Sequence, residues 1–160
     1  MPVQRRVLTL RGVKPLLPYQ HRFENFYRFG AYSPINGEHF TLELPHCNTA
    51  HFQLYLDAFA QQRPKELKIL ILDNGAFHHS KALRIPDNIV LLFLPPYSPE
   101  LNPAEKVWRH LKDRLANTVF KTLDELSDTL QSLIQQCLLP HNIISLTAFH
   151  YLTHAFNAIF

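Results

Sequence analysis

The sequence predicts one α/β domain: a mixed sheet with flanking helices. Three observations carry that reading. Two strand-length apolar runs, 67–72 and 89–94, are almost unbroken by charge. An aromatic, alternating pattern over 26–44 reads as a β-hairpin. Three stretches with helical apolar spacing begin at cap residues, near positions 48, 102 and 122.

The 160 residues suffice for one core, with 46% hydrophobic and 18% charged residues. Twelve prolines against four glycines predict stiff loops. Charge is unevenly placed. Positions 1–28 hold Arg5, Arg6, Arg11, Lys14, Arg22 and Arg28 against Glu24 alone, leaving 10 basic and 12 acidic residues elsewhere. A basic, proline-bearing segment over 1–22 is compatible with contact to phosphates, although from charge alone a solvated arm is the simpler reading. Cys47 and Cys137 fit no metal or redox spacing and predict reduced, partly buried thiols. Arg11, Lys14 and Pro15 break up any leader-like stretch, and no run reaches membrane-spanning length. A cytoplasmic protein without a membrane partner is expected.

The elements follow in order. Phe26 to Tyr32 is strand-like, Ser33-Pro34-Ile35-Asn36-Gly37 carries turn chemistry, and His39 to Leu44 closes the hairpin before Pro45. Asn48 or Thr49 caps a helix reaching about position 62, with Phe52, Tyr55, Leu56 and Phe59 on its apolar side. The run 67–72 is a strand, and its apolar character predicts cover on both faces. A connection with a helical turn near 80–83 leads to the second buried strand, stopped by Pro95 and Pro96. Asn102 as cap, Pro103 at the first helical position and Glu105 at the third resemble a capping box. Ala104, Val107, Trp108, Leu111 and Leu115 form the inner side of that helix. Thr122 opens another helix to about 139, with Leu126, Leu130, Leu133, Ile134 and Cys137 inward. After Pro140, one final helix is expected from 145 onward.

Asp73 ends the first buried strand, and Glu105 stands in the first turn of the helix after the second. If the two strands are parallel, both acids reach the same sheet edge, where open α/β sheets gather ligands. Paired carboxylates there suit a hard divalent cation, which takes oxygen ligands without prior deprotonation of the acid at neutral pH. Two such ions align an attacking and a leaving oxygen at phosphorus. Simpler roles stay open: Asp73-Asn74-Gly75 as a turn, and Glu105 as a cap or an i, i+4 partner of Arg109.

Two strings go further. Ile71-Leu72-Asp73-Asn74-Gly75-Ala76-Phe77-His78 and Leu92-Phe93-Leu94-Pro95-Pro96-Tyr97-Ser98-Pro99-Glu100-Leu101-Asn102-Pro103-Ala104-Glu105-Lys106-Val107-Trp108 closely resemble DDE-type transposases of bacterial insertion sequences related to the mariner group. The resemblance covers nearly the whole chain and implies one ribonuclease H-like catalytic domain over 1–160. It implies DNA cleavage and strand transfer dependent on Mg²⁺, or Mn²⁺ in its place. Asp73 and Glu105 match the second and third acids of the family's triad, as catalytic residues and metal ligands. His78 matches a recurrent position that would contact DNA or orient Asp73, or else is a packed or solvent-facing histidine. Implied partners are DNA (transposon ends and target), a further copy of the chain or a complementing transposase fragment, with residence at the nucleoid when bound.

One departure bears on activity. The family's first acid ends a first strand ahead of the Arg-Gly-Val-Lys-Pro region, whereas only ten residues precede Arg11 and none is acidic. The resemblance therefore implies a chain starting downstream of the first catalytic strand. That strand is central in the family's sheet. Here Val7 to Leu10 would fill its place, another chain would, or the sheet would be split. The activity reading is accordingly a transposase catalytic domain, with a catalytically inactive remnant that binds DNA or an intact transposase as the alternative. Lys106, Arg109 and Lys112 decorate the Glu105 helix and are expected to meet phosphates or simply to solvate its face.

Overall fold

A computed structural model describes Arg11 and residues 25–159, with side chains to 158. The basic positions 5, 6, 14 and 22, and the segment from Val7 to Leu10, lie outside the described residues. The elements run β1 (Tyr27–Tyr32), β2 (His39–Leu44), α1 (Thr49–Gln61), β3 (Lys68–Leu72), a 3₁₀ turn (Ala76–His79) and β4 (Ile89–Phe93). A second 3₁₀ turn (Pro99–Leu101) precedes α2 (Pro103–Leu115), α3 (Leu123–Cys137), α4 (Pro140–Thr147) and α5 (His150–Ile159).

The hairpin is antiparallel, with Tyr27 opposite Leu44 and Tyr32 opposite His39. Its loop is longer than a two-residue Asn-Gly turn: Ser33 N donates to Glu38 O, and Gly37 N to Ser33 O. Gly37 takes the left-handed conformation that turn needs (φ 72°). The alternation of β1 and β2 then assigns two faces. Phe29, Ala31, Phe40, Leu42 and Leu44 pack on α1, around buried Phe52, Tyr55 and Leu56. The opposite face sends Tyr32 to a second core built from Val107, Leu111, Leu130, Ile134, Leu138 and Ile143. The hairpin is thus the middle layer between α1 and the helices α2 to α4.

Beneath that face lies a polar tie. Arg28 and Glu43 are cross-strand partners and form an ion pair at 2.7 Å. Arg28 also donates to Gln131 on α3, and Ser127 Oγ donates to the same Glu43 carboxylate. Arg28 is nearly enclosed, its side chain 7% exposed.

β3 and β4 are parallel, with Lys68 opposite Ile89 and Leu72 opposite Phe93. Leu70 and Ile89 are buried against α1. The expected cover on both faces is not found: Ile69, Val90 and Leu92 on the other face are 55%, 41% and 48% exposed. An apolar run reports that a strand lacks polar side chains, whereas cover depends on which distant element lies over it.

Among the described residues the four strands form two separate two-stranded sheets. This is a general ribonuclease H-like mixed α/β arrangement in which no described strand carries a first acid. Lys68 N donates to Asn88 O, and Leu72 O accepts from Leu94 N. In a parallel ladder the alternate residues therefore face β4. The amides of Ile69 and Ile71 point to the other edge of β3, which has no strand partner among the described residues.

The caps act much as expected. Asn48 accepts from His51 N, and Thr122 from Glu125 N. Leu126, Leu133 and Cys137 of α3 are half-buried beside buried Leu130 and Ile134. The single C-terminal helix is not found. It is two helices, broken at Ala148 and Phe149, where Ala148 N closes α4 on Ile144 O and a new turn starts from Phe149 O. Cys47 is exposed rather than partly buried, and Cys137 is half-buried; both are free. No helix among the described residues is long and apolar enough to cross a membrane.

Candidate functional site

Because β3 and β4 are parallel, their carboxyl ends emerge together. Asp73 follows β3 directly, and Pro95 and Pro96 follow β4. Pro95 and Pro96 end the strand, since proline cannot donate to a ladder. The chain turns through Pro99–Leu101 and enters α2 at Pro103, an ideal first helical residue. Asn102 caps α2 by accepting from Ala104 N at 3.1 Å.

Asp73 and Glu105 consequently line one cavity of about 130 Å³, together with Asn74, Tyr97, Ser98 and Asn102. The expected capping box is not closed by Glu105. Asn102 N is already given to Pro99 O, so the Glu105 carboxylate has nothing to return to. Nor does it pair with Arg109: among the described residues no ion pair or side-chain hydrogen bond involves Glu105. An unpartnered carboxylate in the first turn of a helix is left for solvent or a cation.

Asp73 is held by its own turn. Its Oδ1 accepts from Gly75 N at 3.1 Å and lies 3.4 Å from His78 Nε2. Gly75 is crowded: a Cβ there would stand 3.0 Å from His78 Cδ2 and 3.2 Å from Asp73 Oδ1. The His78 ring is buried edge-on against Phe52 and beside Phe77, with centroids 4.4 and 4.0 Å away. Burial holds His78 below the ordinary histidine range; the Asp73 charge pulls the other way and His79 adds to the lowering.

Asn74, His79 and Tyr151 escaped the sequence reading as site supports. Asn74 donates to Leu94 O, tying the end of β3 to the end of β4, and its Oδ1 meets His79 Nε2 at 2.8 Å. His79 stacks on Phe93. Tyr151 on α5 donates to Leu101 O, bracing the Pro99–Leu101 turn from 50 positions away. The adjacent Asp-Asn and His-His pairs were the only sequence signals for the first two, and nothing local marked Tyr151.

The other expected residues are placed as follows. Arg109 and Lys112 are exposed on α2 and Val107 and Leu111 buried, so the helix presents a basic outer side. Lys106 Nζ sits 4.1 Å over the Phe149 ring and so is partly engaged within the chain. His78 is turned inward toward Asp73 rather than lying on that outer side.

The residues fit a hard cation in part. Two carboxylates share a cavity, Asp73 is open to solvent, and Glu105 is unpartnered among the described residues. Magnesium sites commonly use one or two carboxylates and complete the shell with water and phosphate. Among the described residues, however, no group of three or more His, Cys, Asp or Glu converges as a metal cluster.

Comparison with known proteins bears on this geometry. The Mos1 transposase, solved as a paired-end complex with the left transposon end, superposes with a TM-score of 0.68 at 19% identity. The match covers 91% of this chain but 47% of that one, so the chain spans about half of the Mos1 chain, and the likeness is one of fold. "Uncharacterized protein y4pE/y4sA" of Sinorhizobium fredii (strain NBRC 101917 / NGR234) is 42% identical over 102 residues, 62% of this chain and 76% of that protein. The sequence profile described as "DDE superfamily endonuclease" matches residues 1–127, a stretch that contains both cavity acids and the turn between them, and the chain therefore belongs to the DDE superfamily endonuclease family.

Proposed function

We propose that this chain is a DDE transposase catalytic domain that binds DNA and associates with an intact transposase or a complementing fragment, and does not by itself cut DNA. The carrying observation is that Asp73 and Glu105 line one cavity with no third acid converging on them among the described residues. Two features support association. The edge of β3 that has no strand partner among the described residues offers the Ile69 and Ile71 backbone groups to an added strand, and pairing them removes a liability of open edges. The exposed face of Ile69, Val90 and Leu92 offers apolar area to a partner. Arg109 and Lys112 on the outer side of α2 support contact with phosphates, which would weaken steeply with salt. The Mos1 relative, solved with a transposon end, agrees with DNA as the ligand class.

A second reading is favoured by the state of Glu105. A carboxylate clear of cap and ion pair among the described residues, lining the same cavity as Asp73, suits Mg²⁺-dependent strand cleavage and transfer once a first acid is supplied. Bound there, the cation would supply charge stabilisation and activation of the attacking oxygen. Asp73 and Glu105 would hold it, and the Gly75 N–H and His78 would keep Asp73 oriented.

The test uses the full chain with labelled duplex DNA over a salt series, and with supercoiled plasmid in Mg²⁺ or Mn²⁺. The expected result is salt-sensitive binding without nicking above the level of Asp73→Ala. Nicking that Asp73→Ala and Glu105→Ala both abolish would make the chain an enzyme on its own. Absence of DNA binding at low salt would remove DNA as its ligand.

A further inference from the structure

Tyr97 is fully exposed, at 100% of its free surface, yet it projects from a restrained backbone. It sits in Pro95-Pro96-Tyr97-Ser98-Pro99, where three prolines restrict the backbone. Its own backbone is left-handed, φ 59°, a conformation that costs a bulky residue and that glycine adopts freely. The loop is held from both sides: Leu101 N donates to Ser98 O, and Tyr151 donates to Leu101 O. Asn74 holds Leu94 O, just ahead of the loop.

A large aromatic ring is therefore displayed to solvent by a strained, braced backbone, at the rim of the cavity that holds Asp73 and Glu105. No packing among the described residues rewards that display. Strain of this kind is retained where the surroundings over-determine it, and functional sites are where it collects.

We infer that Tyr97 is a stacking platform for an unpaired nucleobase next to the phosphate that the Asp73–Glu105 cavity would receive. This rests on the DNA-binding reading above and adds the substrate feature it recognises: a base displaced from the duplex, or a single strand. Every base has a π-face, so the contact is tolerant of sequence and is made by the ring, not by the phenol hydroxyl. The braced loop backbone loses little freedom on binding, since the point from which the ring projects is already restrained.

The experiment uses the full chain, parent, Tyr97→Gly and Tyr97→Phe. The probe is a fluorescent single-stranded oligonucleotide, and a duplex with one extrahelical 2-aminopurine. Tyr97→Gly relieves the left-handed strain, so it is expected to melt no lower than the parent. It should bind the single strand about tenfold more weakly, the effect of losing one base stack. Tyr97→Phe should bind like the parent, and the parent and Tyr97→Phe should quench the 2-aminopurine where Tyr97→Gly does not. Tyr97→Gly binding as tightly as the parent overturns the inference, as does Tyr97→Phe binding as weakly as Tyr97→Gly. In both cases the DNA-binding reading stands. A parent that binds neither probe overturns that reading and the inference with it.

Discussion

His78 Nε2 stands 3.4 Å from Asp73 Oδ1, the imidazole buried against aromatic rings and the carboxylate open to solvent. Its other nitrogen, Nδ1, is buried with no hydrogen-bond partner among the described residues. A proton on Nδ1 would be an enclosed donor without an acceptor, so the neutral ring carries its hydrogen on Nε2, facing Asp73. His78 is thereby a neutral prop for an acid rather than a cation beside it.

The pH dependence follows from that environment. Burial holds His39, His78 and His110 below their ordinary value of 6.5. Above 6.5 these groups are neutral in folded and unfolded chains, and their contribution is complete. As pH falls below 6.5 the unfolded chain takes up protons that the folded chain resists, and stability declines. Melting temperature is expected to drop between about pH 6.5 and 5.5, and less so in His78→Gln. A flat profile over that interval would contradict the burial argument.

The Arg28–Glu43 pair gives a second outcome. Arg28→Ala leaves Glu43 partly enclosed with Ser127 as its remaining side-chain partner among the described residues, and cuts the bond to Gln131. Removal of one member of a buried pair commonly costs about 3–5 kcal/mol, and the partial exposure of Glu43 sets the expectation near the lower end. Urea unfolding of Arg28→Ala should show about 3 kcal/mol lost, and a change under about 0.5 kcal/mol would show that the tie between hairpin and α3 carries little.

Gly37 joins the hairpin loop to α4. A Cβ at this left-handed position would overlap the backbone of Pro140. Neither the strain nor the clash can be relieved by a side-chain rotation. Gly37→Ala is expected to lose about 1–3 kcal/mol. Unfolding indistinguishable from the parent would mean that α4 sits away from the turn in solution.

Asn102 supports both helix and site. Asn102→Ala removes the cap of α2 and should cost about 1 kcal/mol, while Asn102→Asp should retain most of it. Because Glu105 lies one turn in, Mn²⁺ binding followed by electron paramagnetic resonance should weaken in Asn102→Ala. Unaltered Mn²⁺ affinity would show that the cap does not position Glu105.

Much of the chain was legible without coordinates. Alternation fixed the hairpin, apolar runs fixed β3 and β4, and Asn48, Asn102-Pro103 and Thr122 marked three helix starts. These are local signals: steric preference, backbone donors needing partners, and period 2 or 3.6. Locating Asp73 and Glu105 at one rim needed one non-local fact, the parallel pairing of β3 with β4, and the apolar character of both strands made it a sound expectation. What tertiary structure alone decided concerns partners distant in sequence. It left Ile69, Val90 and Leu92 uncovered, divided the described strands into two sheets, and braced the site with Tyr151. It also freed Glu105, because Pro99 O takes the Asn102 N–H that a capping box would have used. Residue types and spacing specify which groups can bond, and only the folded chain decides which competing partner arrives first.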